Sequence, residues 1–195
     1  MRTGSKIIYD RNRRGDILAV ETTWRSSPFA WAIRGVQWRK GYNAVDRKTY
    51  HWAQITTDGG EILESEPFRF RRANISRYSK YHVFRHRGNK TNKKRDEVVR
   101  MAEKVKDEAK HFMPYDEALI VSLLLQAIGI PIIINGQHET ICTEYVYLAH
   151  KLAGLEMPAT FYPAEIWQMW RDGIVDMIVP SEKACGAIIT KGEER

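Results

Sequence analysis

Short β-type runs in the first half of the chain and helical periodicity in the second predict an α+β fold. The 195 residues, 43% of them hydrophobic, can bury one core without cross-links, so a single domain over residues 1–195 is expected. Turn residues that punctuate the apolar runs, Gly15-Asp16 and Asp58-Gly59 above all, mark where strands begin and reverse.

Gly15-Asp16 introduces a first strand at Ile17–Val20. The Trp-rich stretch from Trp24 to Trp38 reads as irregular or partly helical. Tyr50 to Thr56 and Glu61 to Ser65 flank Thr57-Asp58-Gly59-Gly60, and Asp-Gly suits a two-residue type I′ turn, in which both positions need positive φ. That turn pairs Thr57 with Gly60, Ile55 with Ile62, Ala53 with Glu64 and His51 with Glu66. His51 and Glu64 become diagonal neighbours on one face, whereas a three-residue turn would put Glu64 on the other. Tyr81–Phe84 is a further strand. Thr91 to Lys110 is helical, with Val98, Met101, Ala102, Val105 and Ala109 as one apolar stripe. Pro114 separates it from a second helix, about Asp116 to Ile128, which Gly129-Ile130-Pro131 stops before a short strand at Ile132–Ile134. Thr140 is placed to cap a third helix whose apolar positions are Cys142, Tyr145, Val146, Ala149 and Leu152, and which Gly154 closes. Strands are expected at Val175–Val179 and Ala187–Thr190.

The net charge of +7 is unevenly spread, for residues 69–95 hold eleven cations and no carboxylate. Two readings stand: a solvated loop leading into a basic helix start, or a positive field for an anionic polymer, nucleic acid or acidic partner. Phe70, Tyr78, Tyr81 and Phe84 within the run suit base stacking or a packed strand core equally well. Ser122, Gln126, Gly129 and Pro131 divide the longest apolar stretch, Ala118 to Ile134, so a buried helix and strand are expected rather than a bilayer span. The N-terminus shows no signal-peptide pattern, which points to synthesis in the cytoplasm. The site of action, a virus particle or a cell envelope among them, and the oligomeric state stay open.

Cys142 and Cys185 lie far apart, with no CxxC or Cys/His spacing for a structural zinc site. Cys142 falls in a first helical turn, where the dipole and unpaired N–H groups favour thiolate and can cradle an oxyanion. The plainer alternative is a buried cysteine acting as a small apolar residue. A thiol hydrolase also needs a histidine base and a group to orient it. Among six histidines, His51 stands at the edge of a core face beside Ala53, with Glu64 or its rival Glu66 in reach. His82 and His86 lie in the basic run, and His111 and His150 read as helix-surface residues. His138-Glu139, three residues before Cys142, imitates a zinc-protease helix but lacks the second histidine.

Gly15-Asp16-Ile17-Leu18, Tyr50-His51-Trp52-Ala53-Gln54-Ile55, Ile62-Leu63-Glu64, Tyr115-Asp116 and Ile141-Cys142-Thr143-Glu144-Tyr145-Val146 resemble, in order, the motifs of the YiiX-like, circularly permuted NlpC branch of the papain-like cysteine hydrolases. The resemblance implies a permuted papain-like fold, with a small antiparallel sheet packed against the helix that carries the nucleophile. It implies Cys142 as nucleophile, His51 as general base and Glu64 as orienting carboxylate. The substrate it implies is an amide or ester, such as a peptidoglycan-type peptide, another amide or a lipid-like acyl group. Such a hydrolase needs no cofactor and no metal. A non-catalytic binding or structural protein on the same fold, docking through its basic surface, is the alternative.

Overall fold

The structure is a computed structural model and describes residues 7–9, 13–23, 26–66, 69–112, 142–159 and 162–179. In chain order its elements are β1 (Ile7–Tyr9), β2 (Ile17–Glu21), α1 (Pro28–Arg39), β3 (Thr49–Ile55), β4 (Glu61–Glu66), β5 (Arg69–Asn74), β6 (Tyr81–His86), α2 (Asn92–Phe112), α3 (Cys142–Leu152), α4 (Glu165–Arg171) and β7 (Val175–Val179). The class is α+β, as the sequence predicts. The elements expected at 116–128, 132–134 and 187–190, the Thr140 cap, and Tyr115, Asp116, His138 and Cys185 lie outside the described residues.

The sheet is larger than the small antiparallel one expected. Seven strands run in the order β1-β7-β6-β2-β3-β4-β5, with β1 parallel to β7 and the remaining pairs antiparallel. The extra size comes partly from β5, whose arginine-rich sequence carries no apolar alternation. It joins the sheet through a continuous ladder with β4, in which Arg71 stands directly opposite Glu64, and through Phe70, which packs on the core. Residues 69–95 are thus two strands, a 3-10 turn (Ile75–Arg77) and a helix start, not a solvated loop.

Alternation along the central strands sends side chains to both sheet faces, and both are covered. On one, Ile17, Ala19, Trp52, Leu63 and Phe84 pack against Ala102 and Val105 of α2, Tyr145, Val146 and Ala149 of α3, and Ile166, Trp167 and Met169 of α4. On the other, Leu18, Val20, Ala53, Ile55, Ile62, Val83 and Ile178 join Ile75 in a second cluster. The α2 stripe is buried at Val98, Met101, Ala102 and Val105.

The Trp-rich stretch resolves into α1, which starts where a sequence signal exists. Ser27 caps it, accepting from the Ala30 N–H at 3.3 Å, and Pro28 occupies the first turn. Its buried Gln37 ties three elements together, donating to the Thr49 carbonyl at 2.8 Å and the Arg47 carbonyl at 3.2 Å while accepting from the Ala164 N–H at 2.7 Å. Trp52 donates to the Pro163 carbonyl and Trp167 to the Thr49 hydroxyl, each at 2.9 Å. Two of these bonds end on Thr49, the first residue of β3.

Helix α3 ends as its glycine predicts. Gly154, at φ 72°, donates to the Lys151 carbonyl and Leu155 to the His150 carbonyl, both at 2.9 Å, which is the Schellman pattern. Lys94 of α2 donates to the Ala153 carbonyl at 2.7 Å, placing a cation at the negative end of the helix. The buried side of α3 is Cys142, Thr143, Tyr145, Val146, Ala149 and His150, while Leu152 is exposed. His150, expected on the helix surface, is therefore fully buried, because the apolar arc is centred nearer Val146 than the stripe ending in Leu152 implies.

Candidate functional site

The β3–β4 hairpin brings His51 to Glu64 in the register expected from the sequence, through a different turn. Ile55 pairs with Ile62 and Gln54 with Leu63. Thr56 N–H donates to the Glu61 carbonyl at 2.8 Å, and Gly60 N–H to the Thr57 carbonyl at 3.1 Å. The loop is thus Thr57–Gly60, four residues rather than two, and the left-handed residue is Gly60, at φ 85°, not Gly59. A cross-strand register depends on whether the loop is even or odd in length, because side chains alternate with period two. Four residues keep the faces that two would give, so His51 and Glu64 remain on one side.

Beyond Gln54 and Leu63 the β3–β4 ladder stops, although both strands continue. On its other edge β3 carries a bulge: Val20 pairs with His51 and Glu21 with Thr49, leaving Tyr50 as the extra residue. The bulge lies beside His51, in the part of β3 that has left β4. Helix α3 packs against β3 and β4, and its first residue, Cys142, is hydrogen-bonded to the His51 side chain.

His51 Nε2 stands 3.2 Å from Glu64 Oε2, which leaves Nδ1 as the ring nitrogen for Cys142. Burial alone pushes the His51 ring toward neutrality. The charge and hydrogen bond of Cys142, followed by those of Glu64, outweigh it and raise the imidazole to about 10. The histidine is thereby held as an imidazolium between two acidic groups. Cys142 is buried and makes no disulfide.

Glu64 is fully buried and has four side-chain donors. Oε1 accepts from Arg71 Nε at 2.8 Å and from Arg77 Nη1, while Oε2 accepts from the Tyr78 hydroxyl at 2.5 Å and faces His51. Burial favours the neutral acid, but the bonds from His51, Tyr78 and Arg77 prevail and keep the carboxyl below the usual carboxylate range. The Tyr78 hydroxyl is pushed far up by burial and by the Glu64 charge, so it is a donor at every working pH. The guanidinium of Arg77 sits 5.0 Å over the Tyr78 ring, and that ring lies 6.2 Å from His51.

Of the three residues proposed from sequence, the structure brings all three together. Glu66 closes β4, opposite Arg69; its side chain lies outside the described atoms. Arg71, Arg77 and Tyr78 were not anticipated. A signal for Arg71 did exist: Glu64 and Glu66 are mirrored by Arg71 and Arg69 about residues 67–68, as in an antiparallel hairpin of opposed charge.

The other histidines have separate roles. His82 Nε2 is 3.0 Å from Glu21 Oε1. Gly88 N–H donates to His86 Nδ1 at 3.0 Å, so His86 Nε2–H donates to the Glu156 carbonyl at 2.8 Å. His150 Nδ1 lies 3.0 Å from the Val146 carbonyl, one turn back on α3.

The basic run is largely paired within the protein. Arg71 and Arg77 hold Glu64, Arg72 bridges Glu61 and Glu103, Arg85 grips Asp16 through two 2.8 Å bonds, and Arg87 meets Asp176 at 2.9 Å. Lys80, Lys90 and Lys93 are exposed. Among the described residues no group of three or more His, Cys, Asp or Glu side chains could hold a metal ion. No described helix is long and apolar enough to cross a membrane; the 118–134 stretch lies outside the described residues. No protein-family model matches the chain, and comparison with curated proteins finds no match.

Proposed function

We propose that the chain is a cysteine hydrolase that cleaves an amide or ester bond through an acyl-thioester, on a permuted papain-like arrangement of the sheet and α3. The observation that carries this reading is His51 bridging Cys142 on one side and Glu64 on the other. A cysteine kept only for packing has no need of an imidazolium fixed by a buried carboxylate.

In the proposed cycle, the Cys142 thiolate attacks the substrate carbonyl carbon. The first turn of α3 is the positive end of the helix dipole, which favours the developing oxyanion. The protonated His51 then gives its Nδ1 proton to the leaving amine or alcohol, and the C–N or C–O bond breaks. Neutral His51 next takes a proton from water, whose oxygen attacks the thioester and releases the acid and the thiolate. Throughout, Glu64 accepts from Nε2–H and keeps Nδ1 turned toward sulfur. Peptidoglycan-type peptides, other amides and lipid-like acyl groups all fit this chemistry, and the exposed Lys80, Lys90 and Lys93 offer the basic surface for an anionic polymer.

The test is the rate of Cys142 alkylation by iodoacetamide against pH, read by mass spectrometry so that Cys185 is scored apart, in the wild type and His51→Ala. Reaction at pH 6–7, well below the ordinary thiol range near about 8.5, and its loss in His51→Ala is the expected result. Slow reaction with the same ordinary profile in both proteins would refute the hydrolase reading and leave a binding or structural role on the same fold.

A further inference from the structure

The two oxygens of Glu64 are divided between different partners. Arg71, on β5, and Arg77, at the end of the 3-10 turn, both bind Oε1; Tyr78 and His51 share Oε2. Building on the proposed Cys142–His51 pairing, we infer that Arg71 and Arg77 are positioning residues that lock Glu64 in its ionised form with Oε2 turned to His51, and so set how much of the Cys142–His51 pair exists at neutral pH.

A carboxyl with no exposed surface favours its neutral form unless donors and positive charge hold it. The charged and titratable groups facing Glu64 are His51 from β3, Arg71 from β5, and Arg77 and Tyr78 from the turn after it; Cys142 acts through His51, and Tyr50 flanks both rings. Of the four donors, only the arginines carry a permanent charge. Without them, the buried carboxyl takes up a proton and donates its own O–H to His51 Nε2. That hydrogen bond fixes the imidazole as neutral, and Cys142 loses its counter-ion. The direction of this effect is diagnostic. Removing two nearby cations makes His51 easier to protonate by direct Coulomb action, so a fall in its titration can arise only through Glu64. The guanidinium groups are also partly exposed, with side-chain exposures of 25% and 35%, so they can be exchanged without opening the core.

The experiment follows the His51 imidazole by NMR against pH in the full chain, as wild type, Arg71→Met/Arg77→Met, Glu64→Gln and the triple variant, with Cys142 alkylation measured on the same samples. The double variant is expected to lower the His51 midpoint by one unit or more and to slow alkylation at pH 6 by about tenfold or more, one unit being a factor of ten in population. In the Glu64→Gln background the two arginine substitutions should lower neither readout, because the route through Glu64 is already cut and only the direct Coulomb effect, which raises the midpoint, remains. Arg77→Lys, which keeps the charge, should restore most of the effect that Arg77→Met removes. An unchanged or raised His51 midpoint in the double variant, or an equal fall in the Glu64→Gln background, overturns the inference. If the double variant does not fold, Arg77→Met alone carries the test, with a smaller fall expected and no fall refuting it. Failure of the hydrolase reading itself registers elsewhere, as absent low-pH alkylation of the wild type.

Discussion

Replacing His150 with leucine should remove a large part of the protein's loss of stability in mild acid. His150 is fully buried on α3. Its Nδ1–H donates to the Val146 carbonyl, which leaves Nε2 as an acceptor, and Nε2 has no hydrogen-bond partner among the described residues. Burial, aided by the nearby His86, pushes the ring down to about 4, from an ordinary value near 6.5, against the opposing bond to Val146. The native state therefore refuses a proton that the unfolded chain accepts between those two values. Stability falls as pH drops from about 6.5 toward about 4, at about 1.4 kcal/mol per pH unit, for a total on the order of 3 kcal/mol. His86, also lowered by burial, acts in the same direction in both proteins, so the comparison isolates residue 150. Leucine has nearly the shape of the ring without its unpaired nitrogen, and at pH 7.5 the two proteins should differ by no more than about 1 kcal/mol. At pH 4.5 the variant should be ahead by about 2–3 kcal/mol, roughly 1 M in urea midpoint for a slope of about 2 kcal/mol/M. Urea titrations at pH 7.5, 6.5, 5.5 and 4.5 read this directly. Parallel stability-against-pH curves would refute the reasoning, since they would mean that His150 is charged, or equally free to charge, in the folded protein.

Two further outcomes follow from the site's supports. Gly60→Ala should cost about 2 kcal/mol or more, from a left-handed φ and a Cβ 2.7 Å from Ile75 Cγ2, while Gly59→Ala, with only Thr57 Oγ1 at 3.8 Å, should stay within about 0.5 kcal/mol by urea midpoint. Equal costs would return the turn to the two-residue form. Arg85→Met should destabilise by about 3–5 kcal/mol because it leaves Asp16 buried beside an uncharged neighbour, and Asp16→Asn in the same chain should recover part of that loss in thermal unfolding.

The strands of the central sheet were legible because short β-type runs bounded by turn residues are a local property: Ile17–Val20, the hairpin around Asp58-Gly59, Tyr81–Phe84 and Val175–Val179 each show one within a few residues. Helices α2 and α3 were legible from their stripes, and α3 from its closing glycine. The pairing of His51 with Glu64 could be read for a related reason, as it depends only on an even loop. What escaped detection had no local signature. Strand β5 is arginine-rich, and its arginines meet carboxylates on β4 and α2, outside the strand itself. Helix α4 has Ala164 at its N-cap and no side-chain cap bond, so the strongest residue that announces a start is absent and Glu165 in the first turn is only a weak local sign. His150 was misplaced because a polar residue on the flank of an apolar arc can lie on either side of the burial boundary, and only the packing of α3 against its neighbours decides.

The basic run shows why charge density along a sequence is a poor guide to charge on a surface. Its arginines have partners at Asp16, Glu61, Glu64, Glu103 and Asp176, every one outside residues 69–95, so the local count of eleven cations and no carboxylate hides the neutralisation. The pairs also differ in weight. Arg72 with Glu61 is exposed and contributes about 0–1 kcal/mol, whereas the bonds to buried Glu64 and Asp16 cannot be broken singly without leaving charge in the core. Buried carboxylates of this kind demand nearby cations, and a chain that places a carboxylate behind its proposed general base must supply them from somewhere. Here the supply is β5 and the turn after it, which makes part of the basic run an internal component of the site, not a surface for polyanions. The two roles separate experimentally: exchanging Lys80, Lys90 and Lys93 for glutamine alters only surface charge, while exchanging Arg71 and Arg77 alters the protonation of His51.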